Sequence, residues 1–567
     1  QAVSAHAAMP PSPSDPLAAK ASCPLSLLIL WTAHAAALPR VHHWPNVRGH
    51  VGSYGLSSVK VPRNFSNGRP SWKWQHPNGQ YGTTVVGGPV IDYDRNLYIV
   101  EMTGLHKFSL DGKMLWSTAP QFFDKPNCYF PDGPSLMGDS VYVTTTCGEL
   151  CSLDIATGKY KWGGRCRQYF PSTGADSKYV SAYDGVVIIG TDDPGSGGSN
   201  HVVGINGTDG SKLWQFHPDV PTWNNMGMFP GDGTVIFQDW DSRAYRLGLH
   251  NGTLLWKAGG RSRVRPPHYP FSETWTDGGL LLGADGVAYA VSSAVHQDGA
   301  SVAFSGGGVH AHRVSDGQLL WEASVDHPVL TWPVSVKLEG DTSFTVFAFP
   351  SPGAPKNCQP WEIFGNAVRD YYLGSLPQVI INFCVMGGLL AVGWKCVRKG
   401  KLPSCLFLLC VCAVAAGLAC VYQGYSFWST LQATKQGYYT GESPSEIVAL
   451  DADTGKMKFK HVLDRFTRPT AKGDQEGFAQ KMATQPWRPL CCPVAYSSPS
   501  VDGEGVVYIG HMSGTIFGVK DWDKNGVISD DEVYKFDAEG AFLHSGPAFA
   551  PGMFAFTTCD QLFVWTF

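Results

Sequence analysis

Charge is what this sequence has least of. Only 16% of its 567 residues are Asp, Glu, Lys or Arg, and 43 basic side chains nearly cancel 47 acidic ones, leaving a formal net charge of −4. There is no basic excess of the kind a nucleic-acid binder presents, which argues against nucleic acid as a partner. A chain so poor in charge also lacks the polar faces of a soluble helical protein. In their place stand 65 Gly, 19 Trp and 12% aromatic residues, the composition of many short strands joined by glycine turns, with large rings packed between sheets.

One phrase recurs along the chain: an apolar strand, a tight turn, and a strand ending in Trp. It reads SLDGKMLW (Ser109–Trp116), LDIATGKYKW (Leu153–Trp162), INGTDGSKLW (Ile205–Trp214), GLHNGTLLW (Gly248–Trp256), RVSDGQLLW (Arg313–Trp321) and LDADTGKMKF (Leu450–Phe459). The DG, TG and NG dipeptides supply the positive φ that such a turn needs, and the closing ring fills the space between neighbouring sheets. A second hairpin precedes most copies, so each unit is about four strands, the size of a propeller blade. Seven units fall at 87–119, 133–165, 178–217, 226–259, 273–326, 330–463 and 497–541. A last stretch, SGPAFAPGMFAFTTCDQLFVWTF, gives three strands, and PSWKWQHP (Pro70–Pro77) is the expected fourth. Pairing the two ends in one blade removes a free sheet edge and makes eight blades. The fold class is therefore all-β, an eight-bladed β-propeller.

The repeats resemble those of the pyrroloquinoline quinone (PQQ)-repeat, quinoprotein alcohol dehydrogenase-like propellers, with their A-x-D-x-x-T-G-x-x-x-W pattern; ALDADTGKMKF (Ala449–Phe459) is the best copy. The likeness covers about 70–567 apart from one insertion. It implies fold more than activity, because such propellers include both quinone-dependent dehydrogenases and non-catalytic scaffolds.

The seventh unit carries DWDKNGVISDDE (521–532) where the others have a short turn. This is the spelling of an EF-hand-type calcium loop without its flanking helices. Asp521, Asp523 and Asn525 take positions 1, 3 and 5, Gly526 makes the sharp turn, and Glu532 closes the loop at position 12. With the Val527 carbonyl and Ser529, through water, they form an all-oxygen set for Ca2+. Lacking a helix pair to open, the loop is expected to act as a structural clamp rather than a switch.

Two apolar runs interrupt the sixth unit: Leu376–Trp394 is 19 residues without a charge, and Leu402–Tyr422 is 21. Each is long enough to span a hydrocarbon core of ~30 Å, so a two-helix transmembrane hairpin is expected within an insertion at 360–441. The loop between them (395–401) carries Lys395, Arg398, Lys399 and Lys401 and no acid, which places it in the cytosol and the propeller on the luminal or extracellular side of a secretory-pathway or cell-surface membrane. Residues 1–37 read as a leader with a signal peptide (a short apolar run, then A-x-A cleavage patterns) and 38–69 as a linker. The propeller takes 70–359 and 442–567.

Compartment bears on the cysteines. Eight of the 15 lie outside the leader and the apolar hairpin: Cys128, Cys147, Cys151, Cys166, Cys358, Cys491, Cys492 and Cys559. An even number permits four disulfides in an oxidising compartment; Cys147–Cys151 and Cys128–Cys166 are candidate pairs. Three N-x-S/T sequons, at Asn64, Asn206 and Asn251, are glycosylation candidates. Cys491–Cys492 invites comparison with the adjacent-cysteine disulfide that lies over the quinone in the dehydrogenases, but it sits elsewhere in the repeat order, and the acidic and amide residues of that active site have no match. Two functions follow. The favoured one is a membrane-anchored, calcium-binding scaffold for a protein or glycan ligand. The alternative is a membrane-bound PQQ- and calcium-dependent alcohol or sugar dehydrogenase, which requires a polar axial pocket able to hold a planar quinone against a Trp.

Overall fold

The computed structural model describes residues 40–120, 128–169, 179–191, 199–224, 226–260, 279–298, 301–338, 340–351, 444–468, 470–485, 490–491, 493 and 495–567, with scattered residues between 387 and 425. From Val41 to Phe567 the chain forms one compact unit. Its strands make eight antiparallel sheets in chain order, the blades of a β-propeller. Blade 1 runs from Val85–Ile91 to Met114–Thr118, blade 2 from Ser135–Met137 to Arg167–Gln168, and blade 3 from Ser181–Tyr183 to Lys212–Phe216. Blade 4 has three strands, Thr234–Gln238, Ala244–Gly248 and Leu254–Ala258, with an isolated bridge, Met228 to Ile236, in place of its inner strand. Blade 5 runs from Leu281–Leu282 to Leu319–Val325, blade 6 from Val334–Val336 to Met457–Val462, and blade 7 from Ser500–Val501 to Val533–Asp537.

Burial explains why these segments are strands. The inner strands are continuous apolar runs, VVGGPVI and LYIVE in blade 1, buried at every position, as strands covered on both faces must be. The outermost strands alternate, exposing Leu254, Leu255 and Lys257 of blade 4 while Trp256 turns inward. Each closing Trp then joins its blade to the next. Its indole N–H donates to a carbonyl at the end of the neighbour's third strand: Trp72 to Leu110, Trp116 to Ile155, Trp162 to Gly207, Trp214 to Leu249, Trp256 to Val314 and Trp321 to Ala452, over 2.6–3.2 Å. The ring lies against the neighbour's turn glycine. At Gly158 (φ 68°) a Cβ would come within 2.7 Å of Trp116, and at Gly455 (φ 69°) within 2.5 Å of Trp321. These turns need Gly twice over, for backbone and for contact.

The ring closes as the sequence suggests. Trp72–Gln75 pairs with Gln561–Val564 and completes the eighth blade beside Ala548–Ala550 and Met553–Thr557. Blade 6 resumes after its insertion with Thr345–Ala348 directly against Val448–Asp451. The chain leaves and returns at one place, for Glu446 N–H donates to Pro350 O (2.9 Å) and the Ser351 and Ser445 hydroxyls are 3.2 Å apart.

The membrane expectation needs correcting. Among the described residues no helix is long and apolar enough to cross a membrane. Among the described residues the one continuous α-helix, Asp474–Thr484, has 11 residues, about 16 Å against the ~30 Å a span needs, and it carries Asp474, Glu476 and Lys481. The two-span integral protein is thus not upheld. The runs 376–394 and 402–422 lie almost wholly outside the described residues, as does the leader 1–37.

Candidate metal centre and propeller axis

Blade 7 builds the acidic loop out of a strand pair. Thr515–Val519 and Val533–Asp537 are in register from Thr515 opposite Asp537 to Val519 opposite Val533, and residues 520–532 form the connection. Ile528 and Glu532 are buried while Val527 and Asp523 are exposed, so the loop is anchored by its closing carboxylate and one apolar side chain. Ligand atoms of Asp521, Asp523 and Glu532 lie within 4.8 Å of one another. The turn itself is held by Asp521, which accepts from Asn525 N–H (3.1 Å) and Gly526 N–H (2.8 Å). Gly526 has φ 81° and open space around it. Glu532 accepts from Trp522 N–H (2.5 Å) with one oxygen and from Ser529 N–H (3.0 Å) and Oγ (2.9 Å) with the other. Burial opposes its ionisation, but these hydrogen bonds outweigh burial and hold its carboxyl below the usual value. Asn525 lies in the same turn, its Oδ1 accepting from Val527 N–H and its Nδ2 donating to Asp523. The donors are all oxygen and the charge is negative, chemistry that suits a hard divalent cation.

The loop also takes over the joint between blades 6 and 7. The closing ring of blade 6 is Phe459, which has no N–H to offer, and one of the bonds across this junction is instead between His461 Nδ1 and Ile528 O (3.2 Å), with Lys535 Nζ donating to Asp464 (3.0 Å) and Ser445 Oγ 3.0 Å from His511 Nε2. On the other side Trp522 lies between two cations, Arg63 3.5 Å and Lys520 4.1 Å from its ring centre. Sequence reading missed Arg63, because nothing in RNFS marks it as a partner for a residue so far along the chain.

The segment 41–66, expected to be a linker, is a structured arm. Trp44 bridges Ile91 of blade 1, Leu136 N–H of blade 2 donates to Pro45 O (2.7 Å), and Phe229 N–H ahead of blade 4 donates to the Tyr54 hydroxyl (2.8 Å). Arg48 donates to the carbonyl of Pro333 (2.9 Å), just before the inner strand of blade 6, and Leu56 bridges Val501 of blade 7. Contacts spread over so many inner strands place the arm across the propeller axis. Arg48 is fully buried, 5.8 Å over Trp332, and burial pushes its guanidinium down to about 9. Tyr179 packs edge-on against Trp332 at 5.8 Å. A planar quinone on this side of the axis would have to displace these rings and the arm.

The cysteines pair differently from expectation. Among the described residues the disulfides are Cys128–Cys147, Cys151–Cys166 and Cys491–Cys559. Register is the reason. Leu150 lies opposite Arg167, so Cys151 faces Cys166, while Thr146 N–H donates to Tyr129 O (2.9 Å) and brings Cys147 to Cys128. Because Cys491 is bonded to Cys559, it is not available for an adjacent-cysteine disulfide. Cys358 and Cys492 lie outside the described residues. Of the sequons, Asn251 is exposed and Asn206 half-buried, each in a blade turn where its Oδ1 accepts a backbone N–H two residues on (3.0 and 2.9 Å); Asn64 falls in the short 3-10 helix Arg63–Ser66.

Comparisons with known proteins agree with the architecture. The family model described as outer membrane protein assembly factor BamB matches residues 101–265 and 228–338. Quinohemoprotein alcohol dehydrogenase from Comamonas testosteroni superposes with a TM-score of 0.50 at 11% identity, over 94% of this chain and 81% of that one. BamB from Moraxella catarrhalis gives 0.49 at 12% identity, over 88% and 99%, and the alcohol dehydrogenase ADHIIG from Pseudomonas putida HK5 gives 0.49 at 11%, over 93% and 80%. No curated protein sequence matches the chain. Fold and repeat together define an eight-bladed propeller of PQQ-like repeats. The repeats are similar to those of the PQQ-repeat propellers, and the family-model match covers residues 101–338. Identities this low speak for fold and leave activity to the site.

Proposed function

We propose that this propeller is a calcium-stabilised interaction scaffold working in an oxidising, extracytoplasmic compartment. The arrangement of the axis carries the choice of scaffold over dehydrogenase: the arm 41–66 crosses it, with Arg48, Trp332 and Tyr179 packed together, and Cys491 is bonded to Cys559. These residues do not fit a quinone held between a Trp and an adjacent-cysteine disulfide. Three disulfides among the described residues favour the compartment, and Asn251 fits N-glycosylation there, its Oδ1 tied to the turn.

Calcium is the cation that Asp521, Asp523, Asn525, Val527, Ser529 and Glu532 would hold. Bound, its two positive charges would offset most of the charge of three carboxylates that otherwise repel, and would fix the loop that joins blades 6 and 7 through His461 and Ile528. Two measurements test the proposal. Melting temperature should rise with millimolar calcium in the intact protein and stay flat in Asp521→Ala and Glu532→Ala; an equal rise in both variants removes the metal site. Dye-linked oxidation of alcohols and aldoses, with PQQ and calcium added, should remain at the level of a blank; turnover overturns the scaffold assignment.

A further inference from the structure

A cavity of about 250 Å³ lies between blades 4 and 5, away from both the acidic loop and the axis. One wall is nearly bare, made of Ala258, Gly259 and Gly260 at the end of blade 4; the other is one face of the blade 5 edge, with His310, His312 and Glu322. His310 and His312 sit two residues apart on one strand and so share a face, with Glu322 opposite His310 in register.

His312 is 1% exposed, and its Nδ1 is 3.1 Å from Gly317 O. The proton therefore sits on Nδ1, and Nε2 is left with a lone pair for which the protein supplies no partner. A Cβ on Gly259 would stand 3.4 Å from that nitrogen, so the glycine keeps the space before it open. Ser242 and Glu322 offer lone pairs as well. Ser242 donates its proton away, to Val291 O (2.7 Å), and Glu322 is a carboxylate at the half-exposed mouth. Burial lowers the His312 pKa, which disfavours a charge on that ring.

A ligand here must bring hydrogen-bond donors. A buried ammonium is disfavoured beside His312, because the one carboxylate of the lining, Glu322, lies at the half-exposed mouth. A metal is disfavoured too: among the described residues only Asp521, Asp523 and Glu532 converge closely enough to bind one. The volume is below the ~300–1,000 Å³ of drug-sized pockets, and Leu319 and Ala258 add apolar surface. Hydroxyl donors on a compact ring with an apolar flank describe a sugar. We propose that this cavity binds one neutral hexose unit of a glycan. The inference deepens the scaffold assignment by naming a ligand class, and it is independent of the calcium loop.

Saturation-transfer NMR on the intact protein with methyl glycosides of glucose, galactose, mannose and N-acetylglucosamine tests it. At least one should receive saturation. The signal should disappear in Ala258→Trp, which fills the cavity from an outer strand, and binding should weaken about tenfold in His312→Phe, the weight of one hydrogen bond. A higher affinity for an oligosaccharide ending in the same sugar marks a glycan; equal affinity marks the free sugar and overturns the glycan. No saturation of any glycoside, persistence of the signal in Ala258→Trp, or binding of ethylammonium alone each overturns the site. A negative result leaves the calcium and oxidation assays unaffected, so failure of the cavity and failure of the scaffold are separable.

Discussion

At the residue scale the closing Trp shows what sequence tells and what it withholds. Its position at the end of each repeat is legible, because a large ring at fixed spacing needs a sheet to pack on. Its indole N–H bond to the next blade is not legible, because the acceptor is a backbone carbonyl lying 35 to 131 residues on, as with Trp214 and Leu249 O at 2.7 Å. Removing only that donor, in Trp214→Phe, should cost about 1 kcal/mol, and Trp214→Ala about 3–5 kcal/mol, read by chemical denaturation. No loss in Trp214→Phe would mean the hydrogen bond contributes nothing. His511 makes a pH prediction. It is fully buried, 3.0 Å from Ser445 Oγ and 2.9 Å from Ser513 Oγ, and burial pushes its imidazole from 6.5 down to about 3. Below pH 6.5 the unfolded chain takes up a proton there and the folded chain does not. Stability from this residue therefore falls with pH by about 1.4 kcal/mol per unit. Asp239, pushed up to about 7, and Asp560, pushed up to about 6, act oppositely, since the folded chain protonates them first. The difference between wild type and His511→Gln isolates the histidine: the variant should lose less stability than wild type between pH 6.5 and 4, and parallel curves would rule this out.

At the element scale a strand announces itself by its pattern, but its register does not. The hairpins of blades 1–3 were legible, yet the disulfides were mispaired, because Cys151 finds Cys166 only through the pairing of Leu150 with Arg167. The acidic loop was legible because its spacing is a local code; its contacts with Arg63 and His461 were not, because both come from other elements. The two spans read from apolarity, 376–394 and 402–422, fall almost wholly outside the described residues. Hydropathy reports what a residue would gain in lipid, and a span also requires one uninterrupted helix, which the described residues do not contain. The geometry at the insertion gives a test that needs no assumption about its structure. With the Ser351 and Ser445 hydroxyls 3.2 Å apart and Thr345–Ala348 already paired with Val448–Asp451, the blade does not depend on what lies between. Replacing 352–443 by a short Gly-Ser linker should leave the melting temperature within a few degrees, because loop length changes closure entropy only slowly. A collapse of folding would mean that the insertion supplies part of the core.

At the scale of the whole molecule, stability depends on closing a ring whose two ends come from opposite ends of the chain. Trp72–Gln75 does this by hydrogen bonds to Gln561–Val564 and by the Trp72 indole reaching Leu110 of blade 1 at 2.9 Å. The arm 41–66 does something different, filling the axis and packing Phe65 against Tyr508, Phe554 and Trp565 at 5.4–6.2 Å. Two truncations separate these contributions. A chain beginning at 70 keeps the closing strand and loses the arm; it should stay monomeric but melt lower, since its apolar axis is opened to water. A chain beginning at 78 also loses the strand, leaving Gln561–Thr566 as an unpaired edge. An exposed edge is a template for another chain, so this second protein should associate through it, with a concentration-dependent elution volume that the first lacks. Adding a peptide of residues 70–77 should restore the monomer by re-forming the eighth blade. If the two truncated chains behave alike, closure is not carried by the strand, and the arm alone holds the ring together.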